Sequence, residues 1–313
     1  MTRAFVFPGQ GSQAVGMGRE LAEAFPAARE VFEEVDDALS QKLARLMFEG
    51  PESELTLTEN AQPALMAVSL AALRVLKAEA GLNLAAKAAF VAGHSLGEYS
   101  SLAAAGALAV ADTARLLKIR GRAMQQAVPV GEGAMAALLG LDLDQARIAA
   151  EEAAQGEVCA VANDNAPGQV VVSGAKAAVE RAVGIAKTRW GKRAIMLPVS
   201  APFHCSLMAP AAEAMAKALA EVQMHRPVVP LVANVTAEAV DDITAIRRLL
   251  VEQVTGMVRW RECVLYLKQQ GVDTTVEIGA GKVLSGLVKR IDRDVNCLNV
   301  ATPADVEAFV KTL

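Results

Sequence analysis

The sequence predicts an α/β fold, a core of alternating strands and helices carrying a small inserted α+β unit. Three observations predict it. Short apolar runs alternate with longer segments of helical period along most of the chain. A Gly-x-Ser-x-Gly sequence at Gly93–Gly97 stands between one such run, Ala88–Ala92, and a helix-like segment from Glu98 to Ala105. Between Gly133 and Val199 the elements run β-α-β-β-α-β, the ferredoxin-like order. The expected division is a core of residues 1–127 and 199–313 with an insert at 128–198.

The elements follow in order. Arg3–Phe7 reads as a buried strand, and Pro8–Gln13 after it as a turn-forming loop. Helical patterns cover about Arg19–Leu39 and Ala61–Ala80. After the Gly-Ser-Gly turn a helix spans about Asp112–Ala127, with Asp112 as its expected N-cap. In the insert, Ala134–Leu139, Val158–Ala162, Gln169–Ser173 and Arg193–Leu197 read as strands. Asp142–Gln155 and Ala175–Trp190 are the helices between them. The core resumes at about Ser200, with strands expected at Val228–Val235, Thr274–Ile278 and Val295–Val300.

Composition bounds the function. The 313 residues are 53% hydrophobic and 21% charged, a globular balance with enough chain for a large core. A net charge of -4 offers no broad basic field, so no nucleic-acid partner is expected. The longest uncharged run, Ala194–Ala212, is interrupted by Pro198, Pro202 and Pro210 and is no membrane helix. No signal segment is evident, and Cys159, Cys205, Cys263 and Cys297 are far apart without a C-x-x-C pair. A cytoplasmic protein with reduced thiols, no zinc site and no membrane partner is the expectation. Without long heptads, a monomer is expected.

Strand, Gly-His-Ser-Leu-Gly, helix is the form of a nucleophile elbow. Glycines let the chain turn sharply, lift the Ser95 hydroxyl from a strand end and aim free helix N–H groups at a bound oxygen. Such a serine needs a base. Of three histidines, His94 flanks Ser95 and faces the other side of the turn, and His225 lies in a polar segment. His204, in a loop just after a strand, is favoured, against the plainer reading of a packed loop histidine. Cys205 beside it reads as a small buried thiol.

Arg120 is the third candidate. Arg115, Lys118 and Arg122 form one solvated stripe, but Arg120 lies among Leu116, Leu117, Ala123 and Met124. An inward arginine must be paired, either with a buried acid or with a substrate carboxylate. The loop after the first strand lacks the following strand and acid of a dinucleotide fingerprint. Its backbone could supply an oxyanion-hole N–H beside that of Leu96. Gly279–Val283 lacks the first glycine and the hydroxyl residue of a P-loop.

Taken together, these residues resemble the malonyl-CoA:acyl carrier protein transacylases of type II fatty acid synthesis. The matching pieces are Phe7–Gln13, Gly93–Ser100, Arg120–Gln125, Asn163–Gln169, Pro198–Ser200 with His204, and Glu277–Leu284. The resemblance implies a hydrolase-like α/β core with a ferredoxin-like insert, and an acyltransferase moving malonyl from coenzyme A to the carrier's phosphopantetheine thiol. It implies Ser95 as nucleophile, His204 as general base and acid, and Arg120 as binder of the malonyl carboxylate. The N–H groups of Gln10 and Leu96 would form the oxyanion hole, and the Gln253 side chain would meet the histidine in place of a triad acid. Malonyl-CoA and acyl carrier protein are the implied partners, with no metal or redox cofactor. Two departures stand out: Phe203 where serine is common before the histidine, and Ala280 where proline is common. In related multidomain acyltransferases a phenylalanine before this histidine goes with malonyl.

The carrier is acidic, so docking needs a local basic patch. Lys187, Arg189, Lys192 and Arg193 on the insert, and Lys282, Lys289, Arg290 and Arg293 on the core, are candidates. The competing readings are a serine hydrolase, which would show an acid behind the histidine and needs no inward arginine, and a carrier-binding module with an inert site.

Overall fold

The computed structural model describes residues 2–313. Its larger sheet is built from β1 (Arg3–Phe7), β2 (Phe90–Gly93), β7 (Leu231–Val232), β8 (Ala239–Val240), β9 (Thr274–Ile278) and β10 (Asn296–Val300). The order is β10-β9-β1-β2-β7-β8, parallel throughout except for β8, which runs antiparallel to β7. Central β1 shows why the pattern was a continuous apolar run. Phe5 and Phe7 enter the core cluster on one face while Ala4 and Val6 enter that on the other, so both faces are covered. The first cluster holds helix Thr58–Ala80; the second holds Trp260 and Cys263 from the Trp260–Gln269 helix.

Helix Thr58–Ala80 is long and apolar enough to cross a membrane by length and composition, but 83% of its most apolar window is buried inside the molecule. It packs as the central core helix.

The second sheet comprises β3 (Gly133–Leu139), β4 (Cys159–Ala166), β5 (Gln169–Ala175) and β6 (Arg193–Met196), in the antiparallel order β4-β5-β3-β6. This is the ferredoxin-like arrangement. Its helices Leu143–Ala154 and Lys176–Trp190 cover one face through Ala136, Leu138, Val170 and Val172. Asp142 caps the first with a full capping box to Gln145. Met135 and Val171 point to the other face and join the main core. The two sheets meet where Asp164 N–H donates to the Val258 carbonyl (3.0 Å) and Val258 N–H to that of Ala162 (2.9 Å). Arg261 pairs with the buried Asp164 carboxylate at 2.8 Å.

Four expectations need correction. The Arg19–Leu39 helix is two helices, Arg19–Ala24 and Pro26–Leu39, because Phe25 takes an extended conformation before proline. Asp112 is not an N-cap: that helix begins at Val110, and Asp112 sits in its first turn, bonded to Arg115. Lys118 is not solvated but folds onto Glu59 at 2.9 Å. The strand expected over Val228–Val235 shrinks to Leu231–Val232, since the chain turns back at Ala233–Ala237 to make β8, with Ala237 at φ 56°.

Candidate active site

Three loops leave the carboxyl ends of adjacent strands β1, β2 and β7, where open α/β sheets place their sites. The β2 loop is the Gly93–Gly97 turn. Ser95 sits at its apex with φ 54°, a left-handed backbone that a side chain rarely adopts. The residues two places to either side must be glycine for lack of room. A Cβ on Gly93 would lie 2.0 Å from the Gly97 carbonyl oxygen, and one on Gly97 would lie 2.3 Å from that of Phe7.

The turn faces a cavity of about 790 Å³, lined by Gln10, Ser95, Leu96, Arg120, Phe203 and His204 among others. Ser95 Oγ lies 2.8 Å from His204 Nε2. His204 Nδ1 lies 2.9 Å from the Gln253 carbonyl oxygen. A carbonyl only accepts, so Nδ1 carries the ring hydrogen and Nε2 presents a lone pair to the serine hydroxyl. Burial first, and then the Arg120 charge, push the His204 pKa down to about 3. The imidazole is therefore the neutral, proton-accepting form at neutral pH.

Arg120 is 1% exposed, the inward arginine that the helix pattern predicted. No acid pairs with it directly. Nη1 donates to Gln62 Oε1 (2.8 Å), and Nη2 to Gln253 Oε1 (2.8 Å) and to Ser95 Oγ (3.1 Å). Its charge is thus held by neutral amides, and it stands beside the serine in the cavity wall, free of a carboxylate partner. Tyr99 supplies a ring face 5.6 Å away.

Gln10 follows β1 and packs its side chain on Thr58 Oγ1 at 3.2 Å. Among the described residues, the backbone N–H groups of Gln10 and Leu96 donate to no protein acceptor. Both residues border the cavity beside Ser95. No cluster of three or more His, Cys, Asp or Glu among the described residues is placed to hold a metal ion.

The acyl transferase domain family matches residues 4–305. Curated relatives include the malonyl CoA-acyl carrier protein transacylase of Bacillus subtilis, 46% identical over 311 residues, covering 99% of this chain and 96% of the relative. The enzyme of that name from Escherichia coli is 49% identical over 289 residues, 92% of each chain. The chain belongs to the malonyl CoA-acyl carrier protein transacylase family. Solved structures agree with this family membership. An acyl-carrier-protein-S-malonyltransferase from Bartonella henselae superposes with TM-score 0.97 at 56% identity, over 100% of this chain and 99% of that one. A malonyl-transacylase in complex with a type II PKS acyl-carrier protein superposes with TM-score 0.96 at 43% identity, over 100% of both chains.

Against the family resemblance one detail differs. It is the main-chain carbonyl of Gln253, not its side chain, that meets His204. The side chain is taken up elsewhere: Nε2 donates to the Ser95 carbonyl (2.9 Å) and to Glu98, and Oε1 accepts from Arg120. His94 turns to Asn165, Nε2 to Oδ1 at 2.8 Å, and burial lowers its pKa. His225 is exposed, as its polar segment implied, and Cys205 is buried with Sγ on the Pro202 carbonyl.

Three residues went unread in the sequence. Gln62, on helix Thr58–Ala80, grips Arg120. Asn234 accepts from Ser95 N–H (2.8 Å) and donates to the Gly93 carbonyl (2.8 Å), stapling the elbow. Glu98 is 1% exposed on a helix buried on nearly all sides. A carboxyl amid Leu96, Tyr99 and Leu102 was the available signal for the last.

Proposed function

We propose that this chain transfers a malonyl group from coenzyme A to the phosphopantetheine thiol of acyl carrier protein, through a malonyl ester on Ser95. One observation carries the reading: the Ser95 hydroxyl is shared between a neutral imidazole and a buried guanidinium held by amides rather than by a carboxylate. The imidazole supplies a base, and the guanidinium a partner for an acyl group that itself bears a carboxylate.

Ser95 Oγ attacks the thioester carbonyl carbon as its proton passes to His204 Nε2. The oxyanion forms against the N–H groups of Gln10 and Leu96. The tetrahedral centre collapses, the carbon–sulfur bond breaks, and the departing thiolate takes the proton from His204. The carrier thiol then repeats the sequence on the Ser95 ester, giving its proton to His204, which returns it to Ser95 Oγ. The imidazolium formed in each half is stabilised by the Gln253 carbonyl, a weaker partner than a carboxylate. Arg120 would hold the malonyl carboxylate bidentately, selecting malonyl over acetyl and fixing the ester. Phe203 closes the cavity beside His204.

The carrier would approach across exposed Lys282, Lys289 and Arg290 on or beside helix Val283–Ile291. Transfer of labelled malonyl from coenzyme A to the holo carrier tests the reading. It should require both Ser95 and His204. Transfer that survives Ser95→Ala would refute the serine ester.

A further inference from the structure

Glu98 is a buried carboxyl three residues beyond Ser95, and the acyl-transfer steps make no use of it. Its two oxygens take different donors. Oε1 accepts from the Asn234 backbone N–H at 2.5 Å, and Oε2 accepts from Gln253 Nε2. The Gln253 amide lies one way round: its NH2 end meets the Ser95 carbonyl (2.9 Å) and the Glu98 carboxyl, so Oε1 turns to Arg120 and accepts Nη2 at 2.8 Å. Reversed, the amide would set oxygen against the Ser95 carbonyl oxygen and NH2 against the guanidinium.

Gln253 so held touches three working parts of the site. Its Nε2 reaches the Ser95 carbonyl, its Oε1 reaches Arg120 and its main-chain oxygen reaches His204. The other arm of Glu98 holds Asn234, which spans the elbow from Gly93 to Ser95.

We propose that Glu98 is a positioning residue that fixes the orientation of the Gln253 amide, and through it the placement of Arg120 and His204 around Ser95. The inference rests on the acyl-transfer reading above. It accounts for a carboxyl kept in a site where burial pushes its pKa up to about 8, against the Asn234 and Gln253 hydrogen bonds and the Arg120 charge.

A double-mutant cycle of Glu98→Gln and Gln253→Ala tests it, read by single-turnover acylation of Ser95 with malonyl-CoA and with acetyl-CoA. Glu98→Gln places amide against amide and removes one of the acceptors that hold the Gln253 NH2 end. Acylation should slow by roughly tenfold to a hundredfold and the malonyl preference should fall. On the Gln253→Ala background the same change should cost little more. Wild-type rate and selectivity in folded Glu98→Gln, or losses that simply multiply, would overturn the proposal. A second readout needs no variant: hydrogen exchange of the Gln253 side-chain NH2 in the unaltered protein. Slow exchange is expected, and exchange as fast as a solvent-exposed amide would overturn the proposal. If the unaltered protein forms no malonyl-serine, the functional reading fails instead, and the exchange measurement still decides what holds Gln253.

Discussion

Ser95 Oγ and His204 Nε2 stand 2.8 Å apart, and both residues occupy left-handed backbone, at φ 54° and φ 58°. Two non-glycine residues in that region meet in the cavity lining. Each conformation costs of order 1–3 kcal/mol and must be held by its surroundings. For Ser95 the surroundings are Asn234, Gln253 and the glycines; for His204 they include the Gln253 carbonyl.

The glycines set the first prediction. Gly97→Ala drives a Cβ to 2.3 Å from the Phe7 backbone oxygen, which no side-chain rotation relieves. Stability to urea should fall by about 1–3 kcal/mol. Labelling of Ser95 by a serine-directed phosphonate should fall far more than the loss of folded protein explains.

Arg120→Ala removes the cation and leaves the oxygens of Gln62 and Gln253 without their donor. The malonyl-over-acetyl preference in kcat/KM should drop by about 2 kcal/mol or more, roughly thirtyfold. Arg120→Lys should recover little, because an ammonium cannot span two amides and a carboxylate as the planar fork does. An unchanged preference would remove Arg120 from substrate selection.

The pH dependence carries two opposite signs. Folded His204 stays neutral down to about pH 3 while the unfolded residue protonates near 6.5. In that window the unfolded chain binds the extra proton, so this contribution to stability is present above 6.5 and lost as pH falls. Folded Glu98 keeps its proton up to about pH 8, against 4.5 unfolded. There the folded chain binds the extra proton, so this contribution is present below 4.5 and lost as pH rises. Each has a limiting slope of about 1.4 kcal/mol per pH unit. Chemical denaturation across pH should therefore show Glu98→Gln losing the decline as pH rises from 4.5 to about 8, and His204→Ala losing the decline as pH falls from 6.5 to about 3. The acylation rate should show no histidine inflection near 6.5.

Charge reversal at Lys282 and Arg290 should raise the carrier-protein KM several-fold at low salt, with the malonyl-CoA KM unchanged, and the effect should fade as salt rises.

Much of this is legible in the sequence. Four consecutive apolar residues in β1, Ala4–Phe7, announced a strand covered on both faces, and Gly93–Gly97 between strand and helix announced the elbow. Arg120 showed itself by sitting off the charged stripe of its own helix. The partners of these residues were less legible because they come from distant chain: Gln62, Asn234 and Gln253 reach Ser95 or Arg120 across 58 to 158 residues. Helical period places Gln62 on a face but not against Arg120. The hairpin after β7 was hidden because Val228–Val235 reads as one strand, and Asn234 lies in its turn. That the Gln253 carbonyl, and not its side chain, meets His204 depends on where Glu98 and Arg120 draw the amide, a choice made only in the packed core.

The most direct measurement mixes the protein with malonyl-CoA alone, quenches in acid and locates the adduct by mass spectrometry. The account predicts a malonyl ester on Ser95 that is discharged when holo acyl carrier protein is added. Steady release of coenzyme A and free malonate without carrier, or no adduct at all, would contradict it.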